Sequence, residues 1–237
     1  MTSEGVEDER SRRRTARGEN RLPPALAVVA ALVVYVLLPS SLQFLGRFVI
    51  PGVEALLLVA LIVTNPRRIT RQTRWSRTVS IGLAVLVIVS NLLSLGLLIA
   101  ELSNNAPSGE NLLVGAMQIW VTNVIGFALL FWEMDRGGPV ARRNMPRLNM
   151  PAADWRFSQD ENQDTVPEVR RSSSELSGWV PVFIDFLYLS VTNSSAFSPT
   201  DTMPLTSRAK VLMAIQATAA LLVSLLLVAR AVGSLGG

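Results

Sequence analysis

Cysteine and histidine are both absent from this 237-residue chain. The first absence excludes disulfides and thiolate chemistry, and the second excludes His-dependent acid–base catalysis. Together they remove the usual zinc and haem ligands. Lysine occurs once, at Lys210, so every other basic residue is Arg. No Walker, dinucleotide-binding, EF-hand or HExxH pattern occurs, and no Ser sits in a Gly-x-Ser-x-Gly turn. The sequence therefore calls for no enzyme activity, no cofactor and no metal. Charge is sparse as well: 17% of residues are charged against 49% hydrophobic, mean hydropathy is +0.37, and the apolar residues come in blocks. That composition belongs to the membrane class.

Five blocks are long enough to approach the ~30 Å of a hydrocarbon core at about 1.5 Å per helical residue. They run Ala25 to Leu45, Phe48 to Thr64, Val79 to Ala100, Leu112 to Trp132 and Ala209 to Val232. The expected fold is an all-α polytopic transmembrane bundle, with Pro39-Ser40-Ser41 kinking or ending the first helix early. Residues 1–23 read as a disordered cytoplasmic tail, 24–133 as a four-helix transmembrane region, 134–178 as a polar cytoplasmic loop, and 179–237 as a polar helix, a polar loop and a final span.

Arg10, Arg12, Arg13, Arg14, Arg17 and Arg21 precede the first block, and Arg67, Arg68, Arg71, Arg74 and Arg77 follow the second. Basic residues flanking apolar segments are topology signals, which puts the N terminus and the Arg67–Arg77 loop in the cytoplasm of a cell bounded by a plasma membrane. The same clusters suit anionic lipid, so the expected partners are the bilayer and a second copy of the chain, and not nucleic acid.

Trp179 to Phe197 is the exceptional segment. It is long enough to span, yet it carries Asp185, Ser190, Thr192, Asn193, Ser194 and Ser195, and so either crosses as a sixth span or re-enters. As a helix, it places Asp185, Tyr188, Thr192 and Ser195 on one face, turned to other helices or a wet cavity. With Asn193, Ser198, Thr200 and Asp201 these residues form the expected polar site. Glu54, the other acid within an apolar block, is either a partner for Asp185 or a structural, snorkelling carboxylate. Arg208 and Lys210 are the candidate contacts for an anion.

Tyr188, Ser190, Asp201, Pro204 and Thr206, followed by an apolar Arg208–Val232 segment, resemble the pore region of tetrameric potassium channels. The resemblance implies a pore helix, a filter and an inner helix. Where that family has Gly-Tyr-Gly, this chain has Ser198-Pro199-Thr200, and Pro199 fixes φ and lacks an N–H. A potassium-selective carbonyl filter is thereby excluded. The flanking Arg residues also place the preceding loop inside, whereas the family's pore helix enters from outside. Two further stretches, Trp132 to Pro139 (Trp-Glu-Met-Asp-Arg-Gly-Gly-Pro) and Ala196 to Thr206 (Ala-Phe-Ser-Pro-Thr-Asp-Thr-Met-Pro-Leu-Thr), resemble an uncharacterised family of bacterial integral membrane proteins. That resemblance implies a bacterial inner-membrane location and no particular reaction. The expected activity is channel-like or small-solute transport, the alternative a non-transporting scaffold or assembly protein.

Overall fold

The computed structural model of the protein describes residues 19–45, 47–64, 68–69, 74–103, 109–161, 164–196 and 201–235. Its long helices are α1 (Leu22–Val36), α2 (Val49–Thr64), α3 (Arg74–Ser103), α4 (Gly109–Met134), α8 (Phe183–Ser195) and α9 (Ser207–Leu235). Between α4 and α8 lie the short helices α5 (Pro139–Asn144), α6 (Pro167–Arg170) and α7 (Ser174–Ser177). Two small antiparallel pairs complete it: β1 (Glu19–Asn20) with β2 (Arg68–Ile69), and β3 (Trp155–Arg156) with β4 (Met203–Pro204).

The all-α bundle expected from the sequence is what forms. Segments Trp75–Leu102, Leu112–Gly137 and Ser207–Ala229 are long and apolar enough to cross a membrane, while Leu22–Val36 and Val49–Ala60 are apolar but shorter. Length alone thus supports three of the five expected spans. α1 begins with prolines in its first turn, where a missing N–H costs no helical bond. It stops at Val36 because Pro39 disfavours a helical residue before it and cannot donate. Gln43 then folds back, its Nε2 donating to the Leu38 carbonyl at 2.7 Å.

α4 is the central post. Of its apolar stretch 67% is buried, against 28% for α9, which lies at the periphery. Two glycines let neighbours approach it closely: a Cβ on Gly115 would fall 2.5 Å from Leu42, and one on Gly126 would fall 3.0 Å from Ile88. Small residues at helix crossings permit this approach of backbones. Leu56, Val63, Val211 and Leu225 face outward, as on a lipid-facing surface.

α8 and α9 start at the same end of the bundle, the basal end where α4 finishes. Phe183 N at the start of α8 and Trp132 Nε1 near the end of α4 both donate to Glu19 Oε1, at 2.8 and 2.9 Å. Further along, Ser190 Oγ donates to the Val124 carbonyl and Asn193 Nδ2 to the Met213 carbonyl. The two helices therefore run into the bundle side by side. The chain between them returns, because Met203–Pro204 pairs with Trp155–Arg156 beside the α4 terminus. With 13 residues, α8 is about 20 Å long.

Two expectations about connecting segments change. The tail does not extend to residue 23 as an unstructured stretch: Glu19 and Asn20 pair with β2, and Glu19 is buried. Nor is 134–178 a solvated linker. Trp155 and Phe157 enter the core, with Trp155 4.8 Å from the Phe131 ring and Phe157 5.3 Å from Phe186, centroid to centroid. Two aromatic residues among Pro, Arg, Asn and Ser produce no periodicity, so an anchored loop reads like a free one.

Candidate functional site

The predicted polar residues divide between two faces of α8. Asp185 is half-buried in the first turn, where its Oδ2 accepts from Val182 N at 2.7 Å and closes the helix N-terminus. Tyr188 is 51% exposed. Thr192 Oγ1 donates to the Tyr188 and Leu189 carbonyls and Ser195 Oγ to Val191 O, the back-bonding that hydroxyls make when no better acceptor faces them. Asn193 alone of this set looks inward. Asp201 and Lys210 are exposed, and Ser198 and Thr200 lie outside the described residues. Glu54 does not meet Asp185: it is buried on α2 beside Tyr35, while Asp185 sits at the basal end near Arg142. Arg208 is engaged rather than free for an anion, its Nε and Nη2 gripping Asp154 at 2.7 and 2.6 Å.

Inward of α8 lies a polar cluster centred on Gln216, which is fully buried. Its Nε2 donates to Ser190 O at 3.1 Å, Ser190 Oγ at 2.5 Å and Ser194 Oγ at 2.9 Å, and its Oε1 accepts from Asn193 Nδ2 at 2.8 Å. Asn123 Nδ2 on α4 donates to the Gln216 carbonyl at 3.3 Å. Three helices are joined through one residue, its side-chain amide bonding α8 and its backbone carbonyl α4. Sequence reading reached Asn193 as a site residue; its link to Gln216 appears only in three dimensions.

The basal end holds charged residues that the sequence reading treated as topology signals or as loop. After α4, Arg136 (φ 48°), Gly137 (φ 80°) and Gly138 (φ 95°) make three consecutive left-handed steps and turn the chain sharply into α5. Glycine takes such angles freely; Arg136 does not, and is held there by ion pairs to Asp135 at 2.9 Å and Asp160 at 2.7 Å. The turn delivers Arg142 beneath α4, wholly buried, where its Nη1 donates to the Trp132 and Asp135 carbonyls at 2.8 and 2.7 Å. A cation at a helix C-terminus satisfies orphan carbonyls and complements the dipole. Its guanidinium also lies 5.0 Å over the Phe186 ring and 3.9 Å from Glu19. Burial pushes the Glu19 carboxyl above its usual range, with Arg142 opposing, and burial likewise lowers Arg142 from its ordinary value, with Glu19 opposing.

Asp154 ties this turn to α9. Its N–H donates to Asp135 Oδ1 at 2.9 Å, and its carboxylate accepts from Thr206 Oγ1 at 2.6 Å and from Arg208. Leu205 N donates to the Asp154 carbonyl at 2.8 Å. Asp135 of the Trp132–Pro139 stretch and Leu205 and Thr206 of the Ala196–Thr206 stretch, distant in sequence, thus meet through one buried residue, Asp154. No family model matches the chain, and neither a curated protein nor a solved structure matches it.

Proposed function

We propose that the chain is a multi-pass protein of a bacterial plasma membrane, N terminus cytoplasmic, in which α8 and its return limb form a re-entrant hairpin serving small-solute permeation without potassium selectivity. The supporting observation is the parallel course of α8 and α9 from one end of the bundle, with the intervening chain brought back to that end. A helix of about 20 Å falls short of a ~30 Å hydrocarbon core, and irregular backbone at depth is tolerated where protein or a wet cavity covers it. In this reading α1, α2, α3, α4 and α9 are the five spans, the two shorter helices being completed by flanking residues and local bilayer thinning. Exposed Tyr188 on the outer face of α8 and Asp201 on the return limb face the permeation path, which a second copy of the chain completes.

Single-Cys labelling fits this chain, which has no native cysteine. Ser172→Cys and Asp201→Cys, both at exposed positions, are expected to react from the same side of the membrane. Labelling from opposite sides would mean a full crossing and end the re-entrant reading. In liposomes, solute or ion flux is expected to fall on Tyr188→Ala and Asp201→Ala, whose parent side chains pack little. Flux no greater than in empty liposomes would instead favour the scaffold reading, which has its own support: Thr192, Asn193 and Ser195 all spend their donors within the chain. A partner recovered at fixed stoichiometry would then identify the assembly.

A further inference from the structure

Glu54 is 2% exposed on an apolar helix and, among the described residues, has no hydrogen bond or ion pair. The titratable group facing it from α1 is Tyr35, itself 4% exposed. From α3, the other long helix packed on α2, nothing ionisable faces it, since residues 79–100 contain no acid or base; neither do 112–132 of α4. A carboxylate left without a cation in such surroundings is far costlier than a carboxylic acid.

Helix register brings further buried polar groups level with one another. Gly126 abuts Ile88, so Asn91 on α3 comes level with Asn123 on α4, each one turn away in the same direction. Asn123 in turn donates to Gln216. A polar layer therefore runs across α3, α4 and α9 through Asn91, Asn123 and Gln216. Among the described residues, Asn91 Nδ2, Ser94 Oγ and Asn123 Oδ1 are buried there with no hydrogen-bond partner. Those residues are 3%, 1% and 1% exposed, and buried donors and acceptors of this kind are normally met by water.

We propose that Glu54 is an intramembrane proton-binding site, buried against Tyr35 and separate from the polar layer on α3, α4 and α9. The proposal rests on the membrane reading and is independent of the re-entrant hairpin. Its test uses the full chain in liposomes and dicyclohexylcarbodiimide, a hydrophobic reagent that reacts with protonated carboxyls. The acid's proton passes to a carbodiimide nitrogen and its oxygen adds to the central carbon; migration of the acyl group to nitrogen leaves a stable N-acylurea with no leaving group. Mass mapping is expected to find the adduct at Glu54, about tenfold or more above that from a water-soluble carbodiimide, and to find it reduced in alkaline buffer. Equal labelling by both reagents would overturn the proposal. Infrared spectroscopy decides independently of reagent access: a protonated carboxyl C=O band in the wild type should vanish in Glu54→Gln, a variant expected to melt as the wild type does. An unchanged band, or a marked loss of stability showing that the charge is required, would equally overturn it.

Discussion

Arg142→Met is expected to destabilise the protein by about 3–5 kcal/mol, the cost typical of removing one partner from a buried ionic group. The substitution keeps much of the aliphatic volume, so lost packing is not the main term. It takes the Arg142 donor from the Trp132 and Asp135 carbonyls at the end of α4, the latter keeping only its bond from Gly138 N, and leaves Glu19 and Asp135 without the buried cation beside them. Each uncapped buried carbonyl alone is worth about 1–3 kcal/mol. Arg142→Lys should rescue little: a single ammonium cannot reproduce a guanidinium that bonds two carbonyls while stacking over Phe186. Thermal or denaturant unfolding in detergent, followed by circular dichroism, measures both variants. A change under about 1 kcal/mol in Arg142→Met would show that water replaces the side chain and that the basal cluster is peripheral.

That residue also marks the limit of what the sequence makes legible. Blocks of apolar residues locate α2, α3, α4 and α9 because uninterrupted hydrophobic runs of membrane length are rare in helices that face water on one side. Pro39 predicts the early end of α1. Arg142 and Arg136 read as two more cytoplasmic charges, since a count of Arg beside a span is blind to whether each side chain faces water or a carbonyl. Their roles depend on the left-handed turn at Arg136, Gly137 and Gly138, which swings α5 back under α4. The candidate site is legible only in part for the same reason. The 3.6-residue period correctly groups Asp185, Tyr188, Thr192 and Ser195 on α8, but burial puts Asn193, Ser190 and Ser194 on the inward face, against Gln216. A helical wheel shows which residues share a face and leaves open which face is covered.

Trp155→Ala should be comparably damaging, at about 3–5 kcal/mol, the range for truncating a buried aromatic residue to Ala. Trp155 is fully buried, packs tilted on Phe131 and edge-on to Phe186, and donates its Nε1 hydrogen to Met213 Sδ at 3.1 Å. It therefore joins α4, α8 and α9 from within a segment that is otherwise polar. Two of the attachments that hold that segment can be removed separately: the Trp155 ring in the core, and the Asp154 carboxylate on Thr206 and Arg208. Arg208→Ala removes only part of the second, and because that Arg side chain is 59% exposed its loss should cost much less than loss of the ring. Limited proteolysis distinguishes the two attachments. Trp155→Ala should open cleavage between Met145 and Ser177 while the long helices stay protected, whereas Arg208→Ala should leave that stretch resistant. Equal resistance in both variants would mean that the backbone pairing with Met203–Pro204 and the remaining contacts, Phe157 and Asp160 among them, hold the 146–160 stretch without the indole. The return limb after α8 would then be positioned from that pairing, with the indole contributing only volume.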